Sequence, residues 1–222
     1  MRKEYVILTT GRCASELLVA MLKQVDHIVS YPEIFIGLNP SINERDKLDE
    51  ILNRIRREAG GKDISYKING GQVKKHQAYL LNGQNVKVIF LYRKKIFDIA
   101  ISIYLASLTK CWGDYAERVK NGTVVDENKI NKAMIGIRNQ MDGFKKMIIE
   151  SGRPVLKLVY PDYITNQVEL MKYVDWHKHF GLPPGGRKPW ATKQSGPALY
   201  AKIDNYLELK ERFGKEEWDW NA

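Results

Sequence analysis

The chain has 222 residues, 44% hydrophobic and 28% charged, with 17 Gly and 8 Pro, which excludes collagenous, low-complexity and disordered classes and suits one domain with its own core. Thirty-six Lys and Arg against 26 Asp and Glu leave a formal charge of +10. That surplus calls for an anionic partner: nucleic acid, a nucleotide cofactor, a sulfated or phosphorylated sugar, or an anionic membrane. Two cysteines, Cys13 and Cys111, make neither a metal cage nor a disulfide framework and read as reduced thiols. The apolar run behind the basic start is too short for a signal segment, and no run approaches the ~18 residues of a membrane span. A cytoplasmic protein is expected.

Short apolar runs alternate with longer helical ones. Residues 5–9 read as a buried strand, and 15–23 as a helix with Leu17, Leu18, Met21 and Leu22 on one face. Residues 27–30 form a second short strand, stopped by Pro32. The period of Leu48, Ile51, Leu52 and Ile55 predicts a helix over 46–58, ending before Gly60-Gly61. A third strand follows at 64–68 and a helix at 72–81. The strongest strand is 86–92, nearly all apolar, as expected with both faces covered. A buried helix over 96–107, a long helix over 129–150 and a strand over 155–160 come next. Residues 166–180 read as helical, a Gly/Pro break fills 181–186, and a closing helix is predicted over 198–213. This order means an α/β fold with a mainly parallel sheet, one domain over 1–222.

In such sheets ligands sit at the carboxyl ends of the strands. The first strand runs into Thr9-Thr10-Gly11-Arg12-Cys13-Ala14-Ser15-Glu16-Leu17-Leu18, a small-residue turn carrying an arginine, then a helix start. Unpaired N–H groups at a helix N-terminus, backed by the helix dipole, bind phosphate or sulfate. Gly11 and Ala14 keep the approach open, Arg12 adds a bidentate fork, and Ser15 either caps the helix or bonds the anion. The bland reading is a plain turn with an incidental arginine. The pattern G-x-x-x-x-G-K-[ST] is absent, which weighs against an ordinary ATPase or kinase. Further on, Arg93 leaves the best strand on the ligand edge, and Ser102 stands in an apolar helix. Singly, they read as a solvated strand end and a serine bonded back to its own helix.

Together these segments resemble the sulfotransferases that use 3′-phosphoadenosine 5′-phosphosulfate (PAPS) and release 3′,5′-ADP. T-x-x-R-x-x-S-x-L-L after an N-terminal strand is similar to their 5′-phosphosulfate loop, whose usual form is close to P-R-S-G-S-T-L-L. Here Gly11 replaces the Pro, Cys13 and Ala14 the Ser-Gly, and Glu16 the Thr. A carboxylate facing the ligand would repel it, so Glu16 is expected to turn outward and leave its N–H to donate. Arg93 and Ser102 match the 3′-phosphate site, an Arg at a strand end and a Ser on the next helix. Their spacing is one residue longer than the common one and resembles the bacterial carbohydrate branch typified by trehalose sulfotransferase. Lys94 restores the common spacing and competes for the role. Trp112, soon after this helix, is also similar to that branch.

Glu33, in Ser30-Tyr31-Pro32-Glu33-Ile34-Phe35 after the second strand, resembles the catalytic base of the same branch. Its bland reading is a surface Glu beside a turn-forming Pro. His27 is the alternative, because histidine is the usual base in eukaryotic cytosolic members. His76, His177 and His179 read as structural or solvent-facing, and no H-E-x-x-H or C-x-x-C motif occurs. Pro161-Asp162-Tyr163-Ile164 resembles the family's Y-E-D-L segment and reads as structural. Lys193, beside Gln194 and Ser195, falls where members often close the nucleotide site with a late basic loop.

The resemblance implies a three-layer, P-loop-NTPase-like fold and transfer of a sulfuryl group from PAPS to an acceptor hydroxyl, on a carbohydrate or glycolipid. It assigns Gly11, Arg12, Cys13, Ala14, Ser15 and Glu16 to the 5′-phosphosulfate, Arg93 and Ser102 to the 3′-phosphate, and Lys193 to the late loop. Catalysis falls to Arg12 and Glu33, with no metal. Trp112, Tyr104 and Phe35 stack on a sugar ring or fill core. The chain is compact for the family, which implies a reduced acceptor pocket or one completed by a second subunit in a homodimer. A basic nucleic-acid-binding protein and a divergent nucleotide kinase are the competing classes. The basic runs are short and no nucleic-acid motif occurs, so no nucleic-acid partner is expected.

Overall fold

The computed structural model describes residues 1–35, 44–70, 77–112, 115–165, 167–175 and 197–221. Its strands are β1 (Glu4–Thr9), β2 (Ile28–Tyr31), β3 (Asp63–Asn69), β4 (Val86–Arg93) and β5 (Val155–Tyr160). They form one parallel sheet in the order β2-β3-β1-β4-β5. The register sets Thr9 beside Asn69 on one side and Leu91 on the other. Helix α1 (Ser15–Leu22) follows β1, α2 (Glu44–Glu58) precedes β3, and α3 (Gln77–Leu81) precedes β4. Between β4 and β5 come α4 (Ile96–Thr109) and α5 (Glu127–Ser151). The short α6 (Asp162–Thr165), α7 (Val168–Tyr173) and α8 (Pro197–Tyr200) follow, then α9 (Tyr206–Phe213). This is the α/β architecture that the alternating pattern predicts. From β1 the chain crosses to β2 and β3; from β4 it continues to β5 on the other side. The carboxyl ends of β1 and β4 therefore flank the switch point at which open α/β sheets bind ligands.

Apolar burial explains the strands. Tyr5 to Leu8 of β1 and Val88 to Leu91 of β4 are fully buried, as central parallel strands covered on both faces must be. The edge strand β5 is only partly covered. The chain divides into two compact units, Met1–Tyr92 with Gly143–Pro189, and Arg93–Asp142 with Trp190–Ala222. In the second, Phe97 of α4 lies 6.1 Å from Tyr206, which stacks on Tyr200 at 4.2 Å.

Two helix predictions need correction. The closing helix is interrupted between α8 and α9. There Asn205 donates to the Val125 carbonyl at 2.8 Å and accepts from the Val125 N–H at 3.0 Å, while Asp204 N–H bonds Thr123 O. An amide side chain that binds backbone elsewhere competes with helix continuation. The helix expected over 166–180 is represented among the described residues by α7, which a turn ends at Asp175, a non-glycine at φ 53°. Among the described residues no helix is long and apolar enough to cross a membrane.

Burial pushes the phenol pKa of Tyr5, Tyr66, Tyr163, Tyr173 and Tyr206 above the ordinary value of 10.0. A group that holds its proton more tightly when folded contributes stability that is complete below pH 10 and is lost as pH rises toward the higher folded values. Above pH 10 the unfolded chain ionises first. The unfolding free energy should therefore fall by about 1.4 kcal/mol per pH unit for each such tyrosine. Urea unfolding on either side of pH 10 measures this, and a flat profile would refute it.

Candidate active site

The loop after β1 is unusual backbone. Gly11 (φ 82°), Arg12 (φ 54°) and Ala14 (φ 59°) are left-handed, and two of the three are not glycine. Such a residue costs on the order of 1–3 kcal/mol and persists only where its surroundings hold it. The holding contacts are visible. Gly11 N–H bonds Thr9 Oγ1 at 3.3 Å, and the buried Cys13 thiol donates to Gly11 O at 3.1 Å. The Ala14 carbonyl accepts from Leu17 N–H, Leu18 N–H and, at 2.7 Å, the Tyr163 hydroxyl. Tyr163, brought by α6, is buried and was legible in sequence only as a structural segment. Left-handed residues at 11, 12 and 14 are backbone of the kind from which anion nests are built. A side chain at Gly11 would meet open space, so its φ alone explains the glycine.

Ser15 does not cap α1. Ala14 takes the cap position in a left-handed conformation with no side-chain cap, and Ser15 is the first helical residue, buried. A side-chain cap needs a polar residue with extended backbone at that position, and Ala14 has neither.

The sheet then supplies two residues that the sequence reading missed. Lys67 in β3 is 1% exposed, and its ammonium pairs with both Glu16 and Glu33, the latter at 2.8 Å. Asn69, the last residue of β3, donates to Glu33 Oε1. A buried ammonium without partners would be prohibitively costly, so this pairing ties the turn after β2 to the first turn of α1. Glu33 thereby shares one ammonium with Glu16 in the first turn of α1 and is oriented by two donors. Glu16 spends its charge on an ammonium rather than merely facing solvent. The signal was a lysine inside an otherwise buried strand pattern, Ile64-Ser65-Tyr66-Lys67-Ile68.

His27 lies at the amino end of β2, with Nε2 3.0 Å from the Val174 carbonyl. Glu33 lies beyond the opposite end of that strand. Phe35 is buried edge-on to Tyr66 at 6.0 Å and so fills core.

In the second unit, Arg93 pairs with Asp98, and the Ser102 hydroxyl lies 2.8 Å from that of Tyr115. Asp98 and Ser102 are one helical turn apart on α4, hence on one face. Lys94 is paired with Asp219 at 2.8 Å. The C-terminal segment holds this turn: Trp218 N–H bonds Lys94 O at 2.9 Å, and the Trp218 indole donates to Asp142 at 2.7 Å. Tyr104 accepts from Asp126 N–H at 3.2 Å, and Trp112 is exposed. Lys193, His76, His177 and His179 lie outside the described residues.

No protein-family model matches the chain, and no curated protein matches it. Among solved structures it is similar to a sulfotransferase from Alicyclobacillus acidocaldarius, at 14% identity and a TM-score of 0.50, with each chain covered in full. At that identity the likeness is one of fold. The chain has a sulfotransferase-like α/β fold.

Proposed function

We propose that this protein transfers a sulfuryl group from PAPS to a hydroxyl of an acceptor, a carbohydrate or glycolipid. The observation that carries the reading is the loop of Gly11 to Ala14: a left-handed, arginine-bearing nest opening α1 at the carboxyl edge of β1. Left-handed backbone at the start of a helix, together with a guanidinium, suits a phosphosulfate group. PAPS, when bound, supplies the sulfuryl group and departs as 3′,5′-ADP. Cys13, Ala14, Ser15 and Glu16 offer backbone N–H groups to the 5′ end, while Gly11, whose N–H bonds Thr9 Oγ1, keeps the approach open. Arg12 places its guanidinium where negative charge grows in transfer, the main source of catalysis for a loosely held transferring group. Glu33, aligned by Lys67 and Asn69, takes the proton of the acceptor hydroxyl. Arg93, Ser102 and Lys193 are assigned to the nucleotide on sequence resemblance. No metal is required in this reading.

Calorimetry with 3′,5′-ADP against 5′-AMP tests the proposal. The expected result is at least about tenfold tighter binding of 3′,5′-ADP, the scale of one charge-assisted contact. Arg93→Ala should erase that preference while leaving 5′-AMP binding unchanged. Equal affinity in the wild-type chain would refute PAPS as donor. Preferential binding of ATP with Mg²⁺ would favour a kinase.

A further inference from the structure

A cleft of about 370 Å³ opens at the amino edge of the sheet, away from the loop after β1. It is lined by Arg2, Asn53, Arg56, Arg57, Gly60 and Gly61. Arg2 precedes β1, and the others come from the end of α2 and the turn leading to β3. Three arginines line it, and carboxylates stand near two of them: Glu4 on Arg56, and Glu58 at the Tyr31 hydroxyl that Arg2 also approaches. Arg56 closes its Nε/Nη2 edge on Glu4, at 2.7 and 2.9 Å. Arg2 donates through Nη1 to the Arg56 carbonyl at 2.8 Å. Its Nε–H is buried and meets no acceptor among the described residues. That is the same side of the fork with which Arg56 grips its carboxylate, and an unmet buried donor is costly.

The end of a helix ordinarily repels anions through its bare carbonyls. Here three of the last four helical carbonyls, and that of Ala59 beyond them, are engaged. Ile55 O accepts from Ala59 N–H and the Tyr31 hydroxyl, Arg56 O from Arg2, Arg57 O from Gly60 N–H, and Ala59 O from Lys62 N–H. Arg57 is exposed, and its guanidinium makes no hydrogen bond or ion pair among the described residues. Gly60 and Gly61 are left-handed, with open space where side chains would stand. Asn53 adds an amide at the rim.

We infer that this cleft is a binding site for a tetrahedral oxyanion, the phosphate or sulfate group of a small ester, gripped by Arg2 and Arg57. The site is independent of the sulfuryl-transfer reading. Planar forks suit such groups because two parallel N–H bonds reach two oxygens at once.

The test follows arginine Nε–H resonances of the full chain during titration with inorganic phosphate and, in parallel, inorganic sulfate. Sodium chloride at matched ionic strength is the control. The site predicts a saturable shift of the Arg2 Nε–H with phosphate or sulfate and none with chloride. The anion that saturates at lower concentration names the ester class. Because Arg2 also holds the end of α2, the decisive variant is Arg57→Ala at the exposed rim. It should weaken anion binding about tenfold. A shift that rises without saturating, a matching shift with chloride, or an unchanged affinity in Arg57→Ala would overturn the inference.

Discussion

Glu33→Gln should lower sulfuryl transfer by about 10²–10⁴-fold, the usual contribution of a positioned general base, while 3′,5′-ADP binds as before. The substitution keeps the side chain's size and its capacity to accept from Asn69 and Lys67. It removes the ability to take a proton and the charge facing Lys67, whose ammonium keeps Glu16 as its counter-charge. The split between turnover and binding is therefore the diagnostic readout. A variant with unchanged turnover would take Glu33 out of the mechanism. One that loses both turnover and nucleotide binding would give Glu33 a structural role. His27 offers the contrast. It stands at the other end of β2 and bonds the Val174 carbonyl, so His27→Gln should leave turnover close to that of the parent.

Lys67→Met should have the largest effect on stability, a loss of about 1–3 kcal/mol. Removing one partner from a buried ion pair typically costs 3–5 kcal/mol, because the other charge is stranded. The figure is discounted here because the Glu16 side chain is 51% exposed and can recover water, while that of Glu33 is 23% exposed and recovers less. Turnover should fall as well, since the carboxylate loses one of the donors that aim it. The combined variant Lys67→Met, Glu16→Gln, Glu33→Gln strands no charge and should regain most of the stability lost in Lys67→Met alone. Chemical denaturation of the single and combined variants measures the coupling. Equal losses in both would show that packing, not charge, holds this part of the sheet.

The loop after β1 was legible because its sequence signals are local. A buried apolar strand, a small-residue turn with Gly11 and Arg12, and an apolar helix face follow one another within about twenty residues. The strand ending at Arg93 was legible for the same reason. Lys67 was half legible: a charge inside a buried strand demands a partner, but nothing nearby says which. Glu16 and Glu33 are brought to it by the order of the strands and by the turn after β2, whose Pro32 carbonyl faces Lys67 N–H at 3.5 Å. The break in the closing helix was not legible, because it depends on Asn205 meeting Val125, which lies far away in the chain.

The sequence by itself determined the strands, their order among most of the helices, and where a turn carrying Gly11 and Arg12 opens α1. Those outcomes follow from hydrophobic period and backbone preference, which act over a few residues. Only the tertiary structure decided that Lys67 joins Glu16 to Glu33, that Tyr163 pins Ala14, and that His27 and Glu33 sit at opposite ends of β2. Such pairings join residues distant in the chain. Register and burial select them, because a charge removed from water must find its counter-charge wherever the sheet places one.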